Sequence, residues 1–433
     1  MHTPILTMLA ILLAVFPAVA GRSFVSPSPL ETWLLVQESK STEKLLANVS
    51  PRDSKPGVVI ASPERVTPNY YFHWIRDAAL TMDVVIDLHD RAFGPERAAL
   101  RAKLVDYLRF SRLNQVTTAR TGMGEPKFNV DGTAFNGDWC RPQNDGPALR
   151  AVTLIRFAER LLSSGDAGLV RAEMYDGKIP THTVIKADLE FVAHHWREKS
   201  CDIWEEVEGD HLYTRLAQHR ALTDGARLAS RLGDHGAARF YRAQARALHK
   251  GLASHWNATK RLLIPTLNRS GGLEGKSSDV DSQVILGILH GSGIELTDAR
   301  VRSTLDIQTR TFAALYSINK RPGIAGVGIG RYPEDVYDGD RFEGGNPWVL
   351  STAAFATAHY LLAASELEKG DALAARLELA AGDQFLERLR FHANPDGSLS
   401  EQFQRDTGYM TSARDLTWSH AEVLRAIWAR EDL

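Results

Sequence analysis

The sequence predicts an all-α body of helices folded as hairpins, and two observations carry that expectation. Apolar residues recur at three- and four-residue spacing through most of the chain, while alternating strand patterns are scarce. The connections also alternate: short links are followed by long ones rich in Gly, Asn, Asp, Pro and aromatic residues.

The periodicity predicts about twelve helices, over 30–47, 74–91, 96–117, 146–164, 185–199, 212–232, 234–256, 278–291, 296–317, 346–368, 370–391 and 414–430. Asp145-Gly146-Pro147 offers a cap with proline in the first turn of the fourth, and Ser412 with Asp415 has the spacing of a capping box ahead of the last. The stretch from Trp348 to Leu362 is apolar nearly all round, as a buried helix should be. Its successor carries Arg376, Glu378, Glu387 and Arg388 on one side, which suits an outer helix. Links after even-numbered helices, such as Leu232 to Ala237 and Glu368 to Ala372, are short; those before them are long. Antiparallel hairpins put every long link at one end of the molecule. Long loops in a globular domain usually carry function, so the unusual chemistry should collect on that face.

Composition permits this architecture and narrows the partners. Of 433 residues 44% are hydrophobic and 24% charged, ample for a large core. Formal net charge is −2, from 51 basic and 53 acidic residues, with no basic excess to favour nucleic acid. A neutral polar partner such as a sugar is compatible with that balance. At the N-terminus, Ile5 to Phe16 is an apolar stretch followed by Ala18-Val19-Ala20, a small-residue cleavage pattern. It is shorter than the roughly 20 residues that span a bilayer. Residues 1–20 therefore read as a signal peptide, although no Lys or Arg precedes the stretch, and the mature chain is expected to be soluble and secreted or periplasmic. Only Cys140 and Cys201 are present; one bridge or two free buried thiols both remain open. Asn48, Asn257 and Asn268 head glycosylation sequons.

Five long links carry candidate chemistry. The first, YYFHWIRDA, packs Tyr70, Trp74, Arg76 and Asp77 together, offering an aromatic face, a forked cation and an acceptor. The second, from Gly124 through Pro147, contains Trp139, Arg141, Gln143 and Asp145. The third is Asp202-Ile203-Trp204-Glu205-Glu206, where an apolar ring and a second carboxyl both favour a retained proton on Glu205. The fourth brings Arg331, Asp335, Tyr337 and, just before a buried helix, Trp348. The fifth is polar and holds Glu401, the natural second carboxylate. Singly, each reads as ordinary: a helix-start salt bridge, a surface loop, solvated glutamates. Together at one end they match glycosidic hydrolysis, which uses a carboxylic acid and a carboxylate across the scissile bond. Asp338, Asp340 and Glu343 resemble only a fragment of a calcium loop, and the 15 histidines form no HExxH, so no metal and no cofactor are expected.

At these residues the chain resembles the fungal-type glucoamylases of glycoside hydrolase family fifteen. The shared strings are YYFHWIRDA, GEPKFNVDGTAFNGDWCRPQNDGPALRA, DIWEEVEGDHLYT with QHRAL, GRYPEDVY with NPW, and GSLSEQF with SARDLTWSHA. The resemblance implies an (α/α)6 barrel of six inner and six outer helices, with the pocket at the inner helices' N-terminal ends. It implies inverting removal of β-glucose from non-reducing ends of starch and malto-oligosaccharides, with Glu205 as general acid and Glu401 as general base. Arg76 and Asp77 would grip the terminal glucose, assisted by Arg331 and the backbone of Ile203 and Trp204. Tyr70, Trp74, Trp139, Tyr337 and Trp348 would line the pocket, with Asp335 among the substrate-binding residues. Asp202 and Glu206 would support the acid and bind the next sugar. A monomer and a catalytic domain over 21–433 without a starch-binding module are expected.

Ile75, Cys140 and the longer run from Asp338 to Gly344 depart from the family pattern. The rival readings are a relative acting on trehalose or α-1,6 glucans, and a non-catalytic sugar-binding domain that would have lost the acid or the base.

Overall fold

Each long apolar stripe becomes a helix. In the computed structural model, which describes residues 28–433, the helices of eight residues or more are α1 (Pro29–Ala47), α2 (Ile75–Arg91), α3 (Gly94–Val116), α4 (Asp145–Ser163), α5 (Val184–His195), α6 (Leu212–Arg231), α7 (His235–Leu252), α8 (Gln283–His290), α9 (Ala299–Leu315), α10 (Val349–Glu368), α11 (Ala372–His392) and α12 (Thr417–Glu431). They fall on the expected segments, shortened chiefly at α8, whose N-terminal part is instead an irregular approach to Gln283.

The even-numbered helices form a closed ring. α2 packs on α4, α4 on α6, α6 on α8, α8 on α10 and α10 on α12, and α12 returns to α2. The odd helices pack outside it, α3 behind α2, α7 behind α6 and α11 behind α10. This closure is an (α/α)6 barrel. Burial follows the layers. Residues 75–86 of α2 are buried on every face, as are 349–358 of α10, whereas α11 buries one stripe centred on Phe385, Leu386 and Leu389. One residue read as solvent-facing is not: Arg388 is fully buried and donates to the carbonyls of Ile318, Ile324 and Gly326. Three carbonyls of the loop 318–326 converge there, and a five-donor guanidinium satisfies them at once.

Short strands of two to seven residues occur within the long links. His73–Trp74 pairs with Lys127–Phe128, Ser200–Cys201 with part of Val207–His211, and Ser400–Phe403 with Met410–Arg414. They are too short to announce themselves by alternation, yet they brace the loops that α2, α4, α6 and α12 begin from.

Two expected caps fail. α4 starts at Asp145 with no side-chain cap, because the Asp145 carboxylate is drawn to Arg76. α12 starts at Thr417, and Ser412 sits in a strand five residues earlier with a different partner. The first sequon is also closed: Asn48 is buried and its Nδ2 donates to Asp415 O and Thr417 Oγ1. The stretch Ile5–Phe16 and its cleavage pattern lie outside the described residues. Among the described residues no helix is long and apolar enough to cross a membrane.

Candidate active site

The five links converge on one cavity of about 840 Å³ at the N-terminal end of the inner helices. Its wall takes Arg76 and Asp77 from the first turn of α2, Trp348 from just before α10, and Leu416 and Trp418 from the start of α12. The inner helices turn their N-termini to this end, where their dipoles favour negative charge. Of the candidate residues, Tyr70, Trp74, Trp139, Ile203, Trp204, Glu205, Glu206, Arg331, Tyr337 and Glu401 also line it.

Asp202 and Asp335, expected against substrate, stand behind the wall. Asp202 is fully buried. Its Oδ1 accepts from the amides of Glu206 and Val207 at 2.8 and 3.0 Å, and Oδ2 meets Lys276 Nζ at 3.2 Å. Burial alone would lift its pKa, but Lys276 and those amides hold it below the usual carboxylate range. Asp335 clamps Arg331 in a forked pair of 2.8 and 2.6 Å. Both acids spend their oxygens shaping loops, so neither is open to a ligand.

Glu205 is presented by a turn. Its amide bonds to Asp202 O at 3.0 Å and its φ is +65°. That left-handed conformation is unfavourable for a non-glycine residue and here aims the side chain away from its neighbours. Trp74 Nε1 and Gln143 Nε2 both donate to Oε1, at 2.8 and 3.0 Å, and Arg76 Nη2 lies 3.6 Å from the same atom. Among the described residues no donor reaches Oε2. The turn is also tied covalently: Cys140 and Cys201 are bridged, which closes the question the sequence left open. Gln143 Nε2 also donates to Cys140 O at 3.0 Å, so one amide connects the bridge to the carboxylate.

Glu401 is held differently. It was expected on a polar loop, but it lies in the strand Ser400–Phe403 and is 1% exposed. Ser412 Oγ and Gln402 Nε2 donate to its Oε2 at 2.5 and 2.9 Å. Burial pushes its carboxyl up to about 7, against Ser412, the Tyr70 hydroxyl, Arg331 and Gln402, which all favour the ionised form. Tyr70 and Tyr337 share a hydroxyl contact of 2.8 Å beside it.

The floor is charged and buried. Arg76, 5% exposed, donates to Gln143 Oε1 at 2.9 Å and Asp145 Oδ2 at 3.0 Å, and its Nε approaches Asp77 Oδ2 at 3.6 Å. Burial pushes Asp77 up to about 6 against the pull of Arg76. Arg76 Nε, Asp77 Oδ2, Trp139 Nε1 and Trp348 Nε1 are buried without hydrogen-bond partners. Such atoms are costly unless something completes them, and a sugar's hydroxyls are suited to do so. Across the cavity Arg331 Nη2 meets Glu206 Oε1 at 2.7 Å, and Tyr332 Oη donates to Glu206 Oε2 at 2.6 Å.

Lys127 was not among the sequence candidates, and Gln143 was named only as a member of the second link, with no role. Lys127, 2% exposed, lies 3.3 Å from the ring centre of Trp139, 3.9 Å from Phe135, 4.4 Å from Trp74 and 4.6 Å from Phe72. Burial brings it down to about 8, and the rings supply the counter-attraction that sets both tryptophans. The one hint was its place in the string GEPKF, between Pro126 and Phe128.

The profile of the glycosyl hydrolases family 15 matches residues 40–428. The chain is 35% identical to a glucoamylase of Blastobotrys adeninivorans, over 95% of this chain and 74% of that protein. It is 33% identical to glucoamylase 1 of Rhizopus oryzae, over 93% and 71%. Among solved structures, the glucoamylase of Saccharomycopsis fibuligera superposes with a TM-score of 0.85 at 30% identity, covering 96% of this chain and 99% of that one. The match begins ahead of the first pocket loop, ends inside the last inner helix and takes in both cavity glutamates, so the chain is a glycoside hydrolase belonging to family 15.

Proposed function

We propose that the protein is a glucan 1,4-α-glucosidase that releases β-glucose from non-reducing chain ends by inversion. What supports this most directly is that two carboxyls from links far apart in sequence, Glu205 and Glu401, line one cavity with a buried Arg76–Asp77 floor. A cavity with a buried Arg76–Asp77 floor and an exposed rim suits an exo mode, since a chain end enters and its terminal ring meets the floor.

Glu205 is the general acid. With Oε1 occupied by Trp74 and Gln143, Oε2 is the oxygen that carries the proton to the glycosidic oxygen as the C1–O bond breaks. Glu401 is the general base. Its Oε2 is held by Ser412 and Gln402, and the other oxygen takes a proton from water as that water bonds C1 on the opposite face. A proton affinity lifted by burial makes it a stronger base near neutrality. Inverting geometry calls for about 6.5–9.5 Å between the carboxyls, room for that water. After turnover Glu205 is ionised and Glu401 protonated, and exchange with solvent restores both.

Export is part of this reading: the N-terminal apolar stretch, ahead of a catalytic domain over 21–433, and the Cys140–Cys201 bridge both suit an oxidising compartment. The test is proton NMR of maltose hydrolysis, with isomaltose and trehalose run beside it. β-Glucose appearing first, and fastest from maltose, is expected; α-glucose first, or faster cleavage of trehalose, would overturn the proposal.

A further inference from the structure

The cavity wall changes character from floor to mouth. Trp348 and Trp204 are 6% and 7% exposed, whereas Phe342 is 62% exposed on the same wall. Val66 is the one other large, fully exposed hydrophobic residue in the lining, so Phe342 is the exposed aromatic of the rim. Its ring rests on Tyr337, with centroids 5.5 Å apart and planes inclined by 53°, and Tyr337 in turn adjoins Trp348 at 6.3 Å. The three rings form a continuous aromatic path from the buried end to solvent.

The loop bearing Phe342 is built to hold it there. The Asp338 carboxylate gathers four successive backbone amides: Oδ1 accepts from Asp340, Arg341 and Phe342 at 3.0, 2.6 and 3.0 Å, and Oδ2 from Glu343 at 3.3 Å. Phe342 has φ +59°, a region bulky residues rarely occupy, and the cap sustains it. The loop closes through Gly344 N to Val336 O at 3.1 Å and Gly345 N to Asp335 O at 2.7 Å. At its start Gly339 lies so near Ser412 that a Cβ there would come within 2.5 Å of the serine Cβ. An exposed phenyl ring held in an unfavourable conformation by a dedicated cap is a surface prepared for a partner with a flat apolar face. Pyranose rings have such a face in their C–H bonds, and Asp340, also in the lining, supplies an acceptor for hydroxyls beside it.

We infer that Phe342 is the outermost stacking platform of the cavity, receiving a glucosyl unit on the reducing side of the bond being cleaved, beyond the reach of a disaccharide. It sets a preference for longer malto-oligosaccharides over maltose. This rests on the α-glucan reading above.

The measurement is kcat/KM for maltose and for maltoheptaose with wild type, Phe342→Ala, Phe342→Leu and Phe342→Trp. The alanine variant should lose roughly three- to tenfold on maltoheptaose, the range a single stacking contact carries, and less than twofold on maltose. Leucine keeps apolar bulk against Tyr337 but no flat face, so it should match alanine in the maltoheptaose-to-maltose ratio; tryptophan should restore that ratio. An unchanged ratio in the alanine variant, an equal fall on both substrates, or recovery of the ratio by leucine overturns the inference and leaves the glucosidase reading standing. Wild-type enzyme that cleaves neither substrate removes both.

Discussion

The two cavity carboxyls proposed as acid and base are held by opposite means. Glu205 sits on a turn whose supports come from elsewhere: Trp74 from the first link, Gln143 from the second, and a disulfide joining residues 61 apart. Its side chain keeps 17% of its exposure and one oxygen open. Glu401 is nearly sealed, and its donors are local: Gln402 beside it in the strand and Ser412 on the partner strand. A group that delivers a proton to a bulky leaving sugar needs reach, which long side chains and a covalent tie can steady. A group that activates one water needs a fixed, desolvated oxygen, which a hairpin supplies. The acid side is therefore the more sensitive to tertiary change, and the base side to the loss of single atoms.

Exchanging the carboxyls for amides probes the division of labour and carries the largest effect. Glu205→Gln and Glu401→Gln should each lower kcat on maltose by about 10²–10⁴, with substrate binding retained. α-Glucosyl fluoride, whose leaving group needs no proton, should rescue turnover in Glu205→Gln alone. Rescue in Glu401→Gln instead would exchange the two roles.

Removing the bridge should separate the halves further. The double variant Cys140→Ser, Cys201→Ser is expected to lose about 2–4 kcal/mol of stability in chemical denaturation and roughly tenfold in kcat, as if an acid-side positioning contact worth about 1.4 kcal/mol were lost. The ascending limb of its pH profile, which reports Glu401, should not move. A displaced limb would mean that the two sides are mechanically coupled.

Ser412→Ala should give the smallest and most specific effect. The serine hydroxyl stabilises the ionised Glu401 carboxylate, so its loss raises that group's proton affinity. Because a base acts only when ionised, the ascending limb of kcat/KM should move to higher pH. A charge-assisted hydrogen bond worth roughly 1.5 kcal/mol corresponds to about one pH unit. A shift to lower pH, or none, would show that Ser412 does not hold the base.

Helices, their pairing into hairpins and the crowding of chemistry at one end were written in local pattern. A 3.6-residue stripe, and short links alternating with long ones, need no knowledge of what lies across the barrel. The identities of Glu205, Glu401, Arg76 and the pocket aromatics were legible too, through strings that keep their order along the chain. What local pattern misread were residues whose partners are distant. Asp145 looked like a helix cap, but Arg76, 69 residues earlier, claims its carboxylate. Ser412 looked like another cap, but a hairpin turns it onto Glu401. Lys127 looked like any lysine until four rings from two links closed round it. Closure of the inner ring is the event that brings these groups together. Desolvation inside it then decides which charges pair, and that outcome has no periodicity that a linear chain could display.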